Sequence, residues 1–436
     1  MSAERRPIAG ASTEHLTFRP VPATDRHSGA MQQPTPEAVP SGDRHPVVRL
    51  QPRKHRRVKA GHPWVYSNEI EMTPELRRLP RGGLVTLVNA GGDPLGTAMF
   101  NPHSLVVARL LTPEPDAAVD ADFLAERLRR ALLLRERLVG APWYRLVHAE
   151  ADGLPGLVID RFGDVAAVQV NTAGMDRLEP DLLSALDAVL APRAVVLRND
   201  GAVRALEGLE SYVRVAKGAI EGPVAVEENG VRFAADLLTG QKTGWFYDQR
   251  DNRAFVAGLS RGARVIDIYA YLGGFGIQAA AAGAREVTIV DRSQPALDLA
   301  AHSAALNGVA ERCRFVRAGA FEEMERLAAI GERFDVVVAD PPAFVKSRKD
   351  LGAGLRGYAK MVRLAAPLVA PGGFLLAASC SHNVETEMFA LQVRQGLEQA
   401  GRNGRILRTA GAAADHPVHP FLPESAYLKA QVLQLD

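Results

Sequence analysis

The chain contains few cysteines: only Cys313 and Cys380 occur among its 436 residues. Two cysteines cannot form a disulfide framework, and without a nearby histidine pattern they make a poor zinc site. We therefore predict no metal site and a reducing compartment, which indicates the cytoplasm. Each cysteine is then either structural or reactive.

Long hydrophobic runs are also missing. No apolar stretch approaches the ~18 residues that a membrane helix needs, which argues against a membrane partner. Residues 1–45 are polar, rich in Pro, Arg and His, and carry no signal-peptide core. We predict that these residues form a disordered tail.

Net charge is small, at only +2, but its distribution is uneven. The segment Arg44–Lys59 holds seven Lys and Arg residues and no acidic residue. Such a segment on a nearly neutral chain is typical of a nucleic-acid contact, with Arg53, Lys54, Arg56 and Arg57 as candidate substrate-binding residues. The alternative is a solvated strand edge, where basic side chains protect against aggregation.

The rest of the chain divides into three predicted domains, over residues 46–118, 119–222 and 223–436. In the first, short strands between turn signals predict a small β-barrel. Its aromatic residues Trp64 and Tyr66 fit a core better than a platform for base stacking. The predicted strands are Val47–Leu50, Leu84–Val88, Leu95–Phe100 and Leu105–Leu111.

The second predicted domain mixes helix and strand. A helix is predicted over Phe123–Leu138, with an apolar face made of Phe123, Leu124, Leu128, Ala131, Leu132 and Leu138. Turn signals place a β-hairpin over 157–170, and a further helix and strand follow near Leu182–Leu190 and Ala194–Leu197. This pattern predicts a small α+β domain.

The third predicted domain alternates strand and helix, which predicts a parallel sheet covered by helices on both faces, the Rossmann-like α/β class. The predicted strands are Arg264–Ile268, Glu286–Val290, Arg314–Val316, Phe334–Ala339 and Phe374–Ala378. The predicted helices are Phe275–Ala282, Gln294–Asn307 and Tyr358–Val369.

A glycine turn follows the first strand of this domain. Gly273 and Gly274 let the backbone pass close to a ligand, and Asp291 at the end of the second strand suits a ribose diol. The same glycines fit the GxGxxA fingerprint of dinucleotide-binding folds. Asp267 on the first strand and Tyr271 before the glycines instead favour S-adenosylmethionine as the cofactor, and so does the Asp-Pro-Pro that ends the fourth strand.

The fourth strand ends in Asp340-Pro341-Pro342-Ala343-Phe344. The two prolines stiffen this loop and aim the Asp340 carboxylate and the Phe344 ring into the cleft. Ligands bind at the carboxyl ends of strands in such sheets, so we expect this loop to hold a planar nitrogen heterocycle. The alternative is a loop that only leads the chain out of the strand.

The fifth strand ends at Ser379-Cys380-Ser381. A thiolate that adds to carbon 6 of a pyrimidine makes carbon 5 nucleophilic, which indicates covalent catalysis by Cys380. Asp340 would act beside it as a hydrogen-bonding acid at ring nitrogen 3. The mechanism needs a thiolate, so we expect the site to lower the pKa of Cys380. The alternative is a structural cysteine, the role we predict for Cys313.

These segments resemble motifs of the RlmI-type 23S ribosomal RNA cytosine-carbon-5 methyltransferases. The resemblance covers roughly residues 46–436 and is most distinctive over Gly240–Arg250. The other similar segments are Ala60–Ile70, Val203–Leu209, Gly273–Phe275, Asp340–Pro342, Ser379–Ser381, Asp415–Pro417 and Tyr427–Lys429. The resemblance implies a PUA RNA-binding domain, a small α+β central domain and a class I methyltransferase domain.

The resemblance also implies site residues, with Cys380 as the nucleophile. The implied cofactor-binding residues are Phe246, Asp248, Gln249, Arg250, Tyr271, Gly273, Gly274, Asp291 and Asp340. One position departs from the family, whose acid in a D-x-F pattern after the third strand can hold the adenine amino group. Here Gly319 stands in that place, so either backbone groups hold the adenine or the donor site is weakened.

The sequence therefore predicts an S-adenosylmethionine-dependent RNA cytosine-carbon-5 methyltransferase that acts on large-subunit ribosomal RNA. RNA is the expected partner, and a homodimer is left open. Two alternatives also stay open. One is a nitrogen methyltransferase that uses Asp-Pro-Pro and has a structural Cys380. The other is an RNA-binding assembly factor whose methyltransferase domain no longer turns over.

Overall fold

The computed structural model of the chain describes residues 44–436, and within this range the strands form three five- to seven-stranded sheets and one two-stranded hairpin. The tail predicted over residues 1–45 lies, up to residue 43, outside the described residues. Among the described residues, no helix is both long enough and apolar enough to cross a membrane.

The first sheet has the strand order β1-β3-β4-β5-β2. A bridge between Leu50 and Ile70 joins the chain after β1 to the chain after β2, so the sheet curls into a barrel-like unit, as predicted. Its elements are β1 (Val47–Arg49), α1 (His55–Lys59), β2 (Trp64–Tyr66), α2 (Pro74–Arg77), β3 (Gly83–Val88), β4 (Pro94–Phe100) and β5 (Val106–Thr112).

The aromatic residues of β2 differ from the prediction. Trp64 and Tyr66 are half-buried and not core residues, because they lie at alternate positions of an edge strand whose buried face is occupied by Val65. The Trp64 indole N–H donates to Glu150 Oε1 of the second domain (2.8 Å).

The second sheet has the order β10-β9-β8-β7-β6, and the predicted hairpin is its β7–β8 pair. Strands β6 and β10 were not predicted. The elements are α3 (Ala121–Val139), β6 (Trp143–His148), β7 (Leu157–Phe162), β8 (Val165–Val170), α4 (Ala173–Arg177), α5 (Glu179–Leu190), β9 (Ala194–Asn199), α6 (Val203–Glu207) and β10 (Tyr212–Lys217).

Helix α3 packs on this sheet with the predicted face, except at Leu138. Asp120 caps its first turn by accepting a hydrogen bond from the Phe123 N–H (3.0 Å), and Gly140 ends it in the left-handed region. Leu138, predicted on the apolar face, is 47% exposed, whereas Arg135 is fully buried. The helix can bury this arginine because Asp152 neutralises it at 2.5 Å.

The third sheet has the order β15-β14-β13-β16-β17-β19-β18. Strands β13 to β17 are parallel, as predicted, but β18 and β19 add an antiparallel edge that the prediction missed. The elements are β11 (Val224–Glu228), β12 (Val231–Ala235), α7 (Arg250–Gly258), β13 (Arg264–Ile268), α8 (Gly274–Ala281), β14 (Glu286–Asp291), α9 (Gln294–Leu306), β15 (Cys313–Arg317), α10 (Ala320–Ala329), β16 (Phe334–Ala339), α11 (Leu351–Ala365), β17 (Val369–Ser379), α12 (Thr386–Gln399), β18 (Gly404–Ala410) and β19 (Lys429–Leu435).

The parallel strands are nearly continuous apolar runs because both faces of the sheet are covered. One face contributes to a core shared with the second domain, where Val165 and Ala167 of β8 join Val265 and Val336. Helices α10, α11 and α12 cover the other face. The second domain therefore packs directly against the third.

Candidate active site

The carboxyl ends of four strands meet at one edge of the third sheet. There β13, β14, β16 and β17 lead into Tyr271, Asp291, Asp340 and Cys380, which line one cavity of about 1450 Å³. Residues of the first and second domains complete the cavity wall. The structure thus brings together the donor and reacting groups that the sequence predicted from separate strand ends.

Two carboxylates hold the loop between β13 and α8. Asp267 is buried in β13 and accepts a hydrogen bond from the Gly276 N–H (2.8 Å). Asp291 accepts one from the Tyr271 N–H (2.9 Å). Tyr271 and Gly273 both lie in the left-handed region, with φ of 51° and 72°. These bonds fix the loop that forms the cavity wall.

Three of the predicted cofactor-binding residues do not line the cavity. Gly273 and Asp267 are not part of the cavity wall, although Asp267 contacts the start of α8 through its bond to the Gly276 N–H. Arg250 is buried and donates to the Trp143 carbonyl of β6, so its visible role is to join the second and third domains. Contacts of these three residues with the cofactor stay predictions.

The segment before α7 brings further predicted residues to the cavity, namely Phe246, Asp248 and Gln249. The Phe246 ring packs edge-on against Tyr271, with centroids 5.5 Å apart. Lys242, which the sequence analysis did not single out, places its Nζ 5.0 Å from the centroid of the Phe246 ring. Lys242 lies inside Gly240–Arg250, the most distinctive segment of the family resemblance, but nothing in the sequence around it indicated a role in the site.

Asp248 lines this wall and is buried. Its Oδ2 accepts a hydrogen bond from the Tyr427 hydroxyl (2.5 Å). Its Oδ1 is buried without a hydrogen-bond partner among the described residues. A buried acceptor of this kind indicates a ligand donor that completes the site.

The loop Asp340–Phe344 lines the cavity along its whole length. The Val345 N–H donates to Ser381 Oγ (3.2 Å), and the Tyr358 hydroxyl lies 2.8 Å from the same oxygen. The Phe344 ring packs on Tyr358, with centroids 4.8 Å apart. The Asp-Pro-Pro loop is therefore fixed to the segment that carries the reactive cysteine.

Cys380 lies directly against this loop, with its Sγ 3.9 Å from the Pro341 carbonyl oxygen. The expectation that the site lowers its pKa is wrong for this structure. Burial raises the pKa of the Cys380 thiol to about 11, and the charges of Asp340 and Asp248 add to this effect, while Lys242 opposes it. Burial and Asp248 also raise the pKa of the Asp340 carboxyl to about 7.

A group of histidine and tyrosine side chains forms the opposite wall. The rings of His382 and Tyr427 are 5.1 Å apart, as are those of His148 and His416. Burial and the charge of Arg145 lower the pKa of His148 to about 2, so this ring is neutral. The sequence analysis gave none of these side chains a role in the site. His148 belongs to another domain, and His416 and Tyr427 were named only as parts of similar segments.

The basic segment lies apart from the cavity. Arg53, Lys54 and Arg56 are exposed on a turn and on α1, so the alternative of a solvated strand edge does not apply to them. Arg57 is half-buried, donates to Glu69 Oε2 at 2.6 Å and is held by intramolecular contacts. Substrate binding by these four residues stays a prediction.

Two family models match the chain. A model for S-adenosylmethionine-dependent methyltransferases matches residues 213–433, and one for PUA-like domains matches residues 48–113. Proteins named ribosomal RNA large subunit methyltransferase I are similar over nearly their whole length. The one from Aeromonas salmonicida is 38% identical over 378 residues, which cover 86% of this chain and 95% of that protein. The chain belongs to this methyltransferase family.

Other relatives agree with the assignment. The protein of the same name from Shewanella denitrificans is 35% identical over 393 residues, covering 89% of this methyltransferase and 99% of that protein. The one from Cronobacter sakazakii is 38% identical over 377 residues, covering 84% of this methyltransferase and 94% of that protein. The predicted family is therefore confirmed, and S-adenosylmethionine is the cofactor of the matching methyltransferase domain.

Solved structures show the same fold. A SAM-dependent methyltransferase from Streptococcus mutans superposes with a TM-score of 0.76 at 19% identity, covering 89% of this methyltransferase and all of that chain. A methyltransferase complexed with SAH superposes with a TM-score of 0.77 at 18% identity and the same coverage. The predicted Rossmann-like fold with a PUA-like domain is confirmed.

The residues of this methyltransferase fit S-adenosylmethionine. Asp291 ends β14 at the cavity wall, where its carboxylate suits a ribose diol. The unpaired Oδ1 of Asp248 and the unpaired hydroxyl of Tyr269 are acceptors available to the donor's amino groups. Within residues 44–436, no group of three or more His, Cys, Asp or Glu side chains could hold a metal ion.

Proposed function

We propose that this methyltransferase forms 5-methylcytosine in the RNA of the large ribosomal subunit, through a covalent bond between Cys380 and the cytosine ring. The observation that carries the proposal is the position of Cys380. Its Sγ lies 3.9 Å from the Pro341 carbonyl oxygen, in the cavity that the glycine loop and Asp291 also line.

S-adenosylmethionine, when bound, supplies an electrophilic methyl group. The chain's own residues act on the pyrimidine. The Cys380 thiolate forms a bond to carbon 6, which moves electron density to carbon 5 and makes that carbon nucleophilic. After carbon 5 has been methylated, its proton leaves to a base, the bond between carbon 6 and sulfur breaks, and the thiolate is restored.

Asp340 is suited to stabilise the ring during the thiolate attack. A carboxyl with a pKa of about 7 is protonated in part of the molecules at neutral pH, so it can donate a hydrogen bond to ring nitrogen 3. Pro341 and Pro342 stiffen the loop, and Phe344 forms the adjoining wall. We infer that these three residues position the ring.

RNA as the substrate is supported by two features. The relatives are named for a large-subunit ribosomal RNA, and the PUA-like domain carries the exposed basic residues Arg53, Lys54 and Arg56. The target base would have to leave its stack to reach Cys380, which is half-buried at the cavity wall. We infer that the first domain holds the RNA backbone while the cavity receives the base.

One observation favours a second candidate, a nitrogen methyltransferase in which Cys380 is structural. The pKa of the thiol is raised to about 11, so little thiolate is present at neutral pH without a further activating charge. In that reaction Asp340 and the prolines would hold an exocyclic amine. Cys380→Ala would then leave the enzyme active. The other alternative, an assembly factor without turnover, has no such observation in its favour.

The test is to trap the covalent bond. The protein is mixed with S-adenosylmethionine and ribosomal RNA fragments that carry 5-fluorocytidine, then run on a denaturing gel. Fluorine at carbon 5 blocks proton removal, so the bond between Cys380 and carbon 6 persists as a shifted band. Cys313→Ala is the matched control, because it removes the other thiol of the chain.

The expected result is a band with the unmodified protein and with Cys313→Ala, and no band with Cys380→Ala. A Cys380→Ala variant that still methylates the RNA would overturn the covalent mechanism, and a methyl group found on nitrogen would establish the nitrogen methyltransferase. A location in the cytoplasm, a homodimer and the three domain boundaries remain proposals from the sequence.

A further inference from the structure

The cavity is larger than one donor site requires. Its volume of about 1450 Å³ exceeds the ~300–1,000 Å³ usual for small-molecule sites. The excess extends away from the third sheet onto the first two domains, where Trp64, Val158, Gln169 and Asn171 line it. Neither the proposed donor contacts nor the proposed cytosine contacts use these residues.

Gln169 and Asn171 lie on one face of β8 and its extension. Val165 and Ala167, four and two residues before Gln169 on the same face, are buried in the core shared with the third domain. Gln169 and Asn171 continue this face where the two domains separate, and both are half-buried at the cavity wall. Their backbone positions are fixed, because Gln169 pairs with Val158 of β7 and the Asn171 N–H donates to the Gly156 carbonyl (3.0 Å).

Neither amide is used by the protein. The side chains of Gln169 and Asn171 make no hydrogen bond to a residue that the structure describes, whereas their neighbours do. The Val170 N–H donates to Asn199 Oδ1 (2.8 Å), and the Thr172 hydroxyl donates to the Pro155 carbonyl (3.1 Å). Each amide thus presents one free acceptor and two free donors to the cavity.

The wall of the same cavity also contains an aromatic ring. Trp64 lines the same cavity, and its orientation is fixed because its indole N–H donates to Glu150 Oε1 (2.8 Å). Proteins recognise single-stranded RNA by stacking a base on an aromatic ring and by hydrogen bonds to the edge of that base. Trp64 and the two amides supply both parts.

We propose that Gln169 and Asn171 bind the edge of an unstacked nucleobase that lies next to the target cytidine, with Trp64 as its stacking partner. The proposal rests on the RNA methylation proposed above. It assigns sequence specificity to the second domain, whereas the basic residues of the first domain contact only the backbone.

The test compares the unmodified protein with Gln169→Leu, Asn171→Leu and the double variant. The methylated nucleotide is first located by bisulfite sequencing of treated ribosomal RNA. Methylation is then measured on RNA fragments in which each flanking base is replaced in turn. Gln399→Leu, the same change at an exposed position outside the cavity, is the matched control.

We expect the double variant to lower kcat/KM on the native RNA by about 10- to 100-fold, the range for losing two base contacts. Replacing one particular flanking base should reduce kcat/KM of the unmodified protein by about tenfold but have little effect on the variant. Binding of SAH, measured by calorimetry, should be unchanged in every variant and shows that each has folded.

A double variant that still discriminates among flanking bases as the unmodified protein does would overturn the nucleobase site and leave the methylation standing. An unmodified protein that methylates no ribosomal RNA overturns both proposals. If a leucine variant loses SAH binding, it is replaced by Gln169→Glu or Asn171→Asp, which keep the side-chain shape and remove the N–H donors. Discrimination among flanking bases is then measured with these variants.

Discussion

The carboxylate of Glu322 occupies the space in which a side chain at Gly319 would project. An ideal Cβ built on Gly319 would lie 2.1 Å from Glu322 Oε2. Gly319 precedes α10, at the place where the family resemblance led us to expect an acid, and Glu322 follows in the first turn and lines the cavity. The Glu322 carboxylate, from the first turn of α10, therefore lies in the space where an acidic side chain at position 319 would project.

Replacing Glu322 should weaken binding of the donor. If its carboxylate accepts a hydrogen bond from the adenine amino group, Glu322→Gln should raise the Kd for SAH by about 5- to 10-fold, as expected for one hydrogen bond to a charged group at an exposed site. Titration calorimetry measures this Kd. Glu325→Gln, on the exposed side of the same helix, is the control and should leave it unchanged.

The Glu322 prediction has a matching rescue. In the background of Glu322→Ala, the second substitution Gly319→Asp should restore SAH binding, because its carboxylate enters the space that Glu322 vacated. A Glu322→Gln variant that binds SAH as tightly as the unmodified protein would show that backbone groups hold the adenine.

Removing the charge of Lys242 should make Cys380 less reactive. Lys242 favours the thiolate of Cys380, whose pKa burial raises to about 11. Lys242→Met should therefore slow alkylation of Cys380 by iodoacetamide at pH 8 by about two- to fivefold, since only the thiolate reacts. Mass spectrometry follows the labelled peptides. The rate at Cys313 is the internal reference, and a fall at both cysteines would instead indicate a change in the fold.

The parts of the fold that could be predicted are those whose pattern is local. Strands β13 and β16 were placed at their observed ends because both are apolar runs bounded by turns. Strand β6 was missed because its buried tyrosine and leucine alternate with half-buried polar residues in a short run. Strand β18 was missed because it is an almost fully exposed edge strand.

The residues of the site divide in the same way, into those with a local sequence pattern and those without one. Asp340 and Cys380 could be predicted because each directly follows an apolar strand, and parallel strands end at one edge. Gln169 and His148 could not, because they reach the cavity only through packing of the second domain on the third. The pKa of Cys380 was mispredicted for a related reason, since burial and the charges around it come from distant segments.

The buried carboxyl of Asp267 should make stability depend on pH. Burial raises its pKa to about 7, above the ordinary value of 3.8, so the folded state holds the proton more tightly than the unfolded state. Its contribution to stability is present at low pH and is lost as pH rises from about 4 to about 7. The Asp267→Asn variant cannot ionise at this position, and its amide oxygen can still accept the hydrogen bond from the Gly276 N–H.

Relative to the unmodified protein, the free energy of unfolding of Asp267→Asn should therefore increase by about 1–3 kcal/mol between pH 5 and pH 8. Denaturant unfolding at the two pH values measures the difference. Asp298→Asn, on the exposed side of α9, is the control for adding an amide. A difference that stays constant with pH would contradict a raised pKa at Asp267.

Breaking the ion pair of Arg135 should destabilise the chain strongly. Its guanidinium is fully buried, contacts both carboxylate oxygens of Asp152 (2.5 and 2.7 Å) and donates to the Asp415 carbonyl of the third domain. Arg135→Met should cost about 3–5 kcal/mol, because Asp152 stays behind as an unpaired buried charge. Arg137→Met, exposed on the same helix, should cost little, and adding Asp152→Asn to Arg135→Met should recover part of the loss. Denaturant unfolding distinguishes these outcomes.

Replacing the exposed residues of the basic segment should reduce the salt dependence of RNA binding. Each phosphate contact contributes about 0.7–0.9 to the slope of log Kd against log salt, so replacing the exposed Arg53, Lys54 and Arg56 by Gln should lower that slope by about 2. Fluorescence anisotropy with a ribosomal RNA fragment measures this slope. The salt concentration is varied between 50 and 200 mM, because protein–nucleic acid affinity falls steeply over that range. Changing Arg77 and Arg78 of the same domain to Gln is the control, since both are exposed on α2 and its end. An equal fall in slope for the two sets would mean that the basic segment is only one part of a diffuse positive surface.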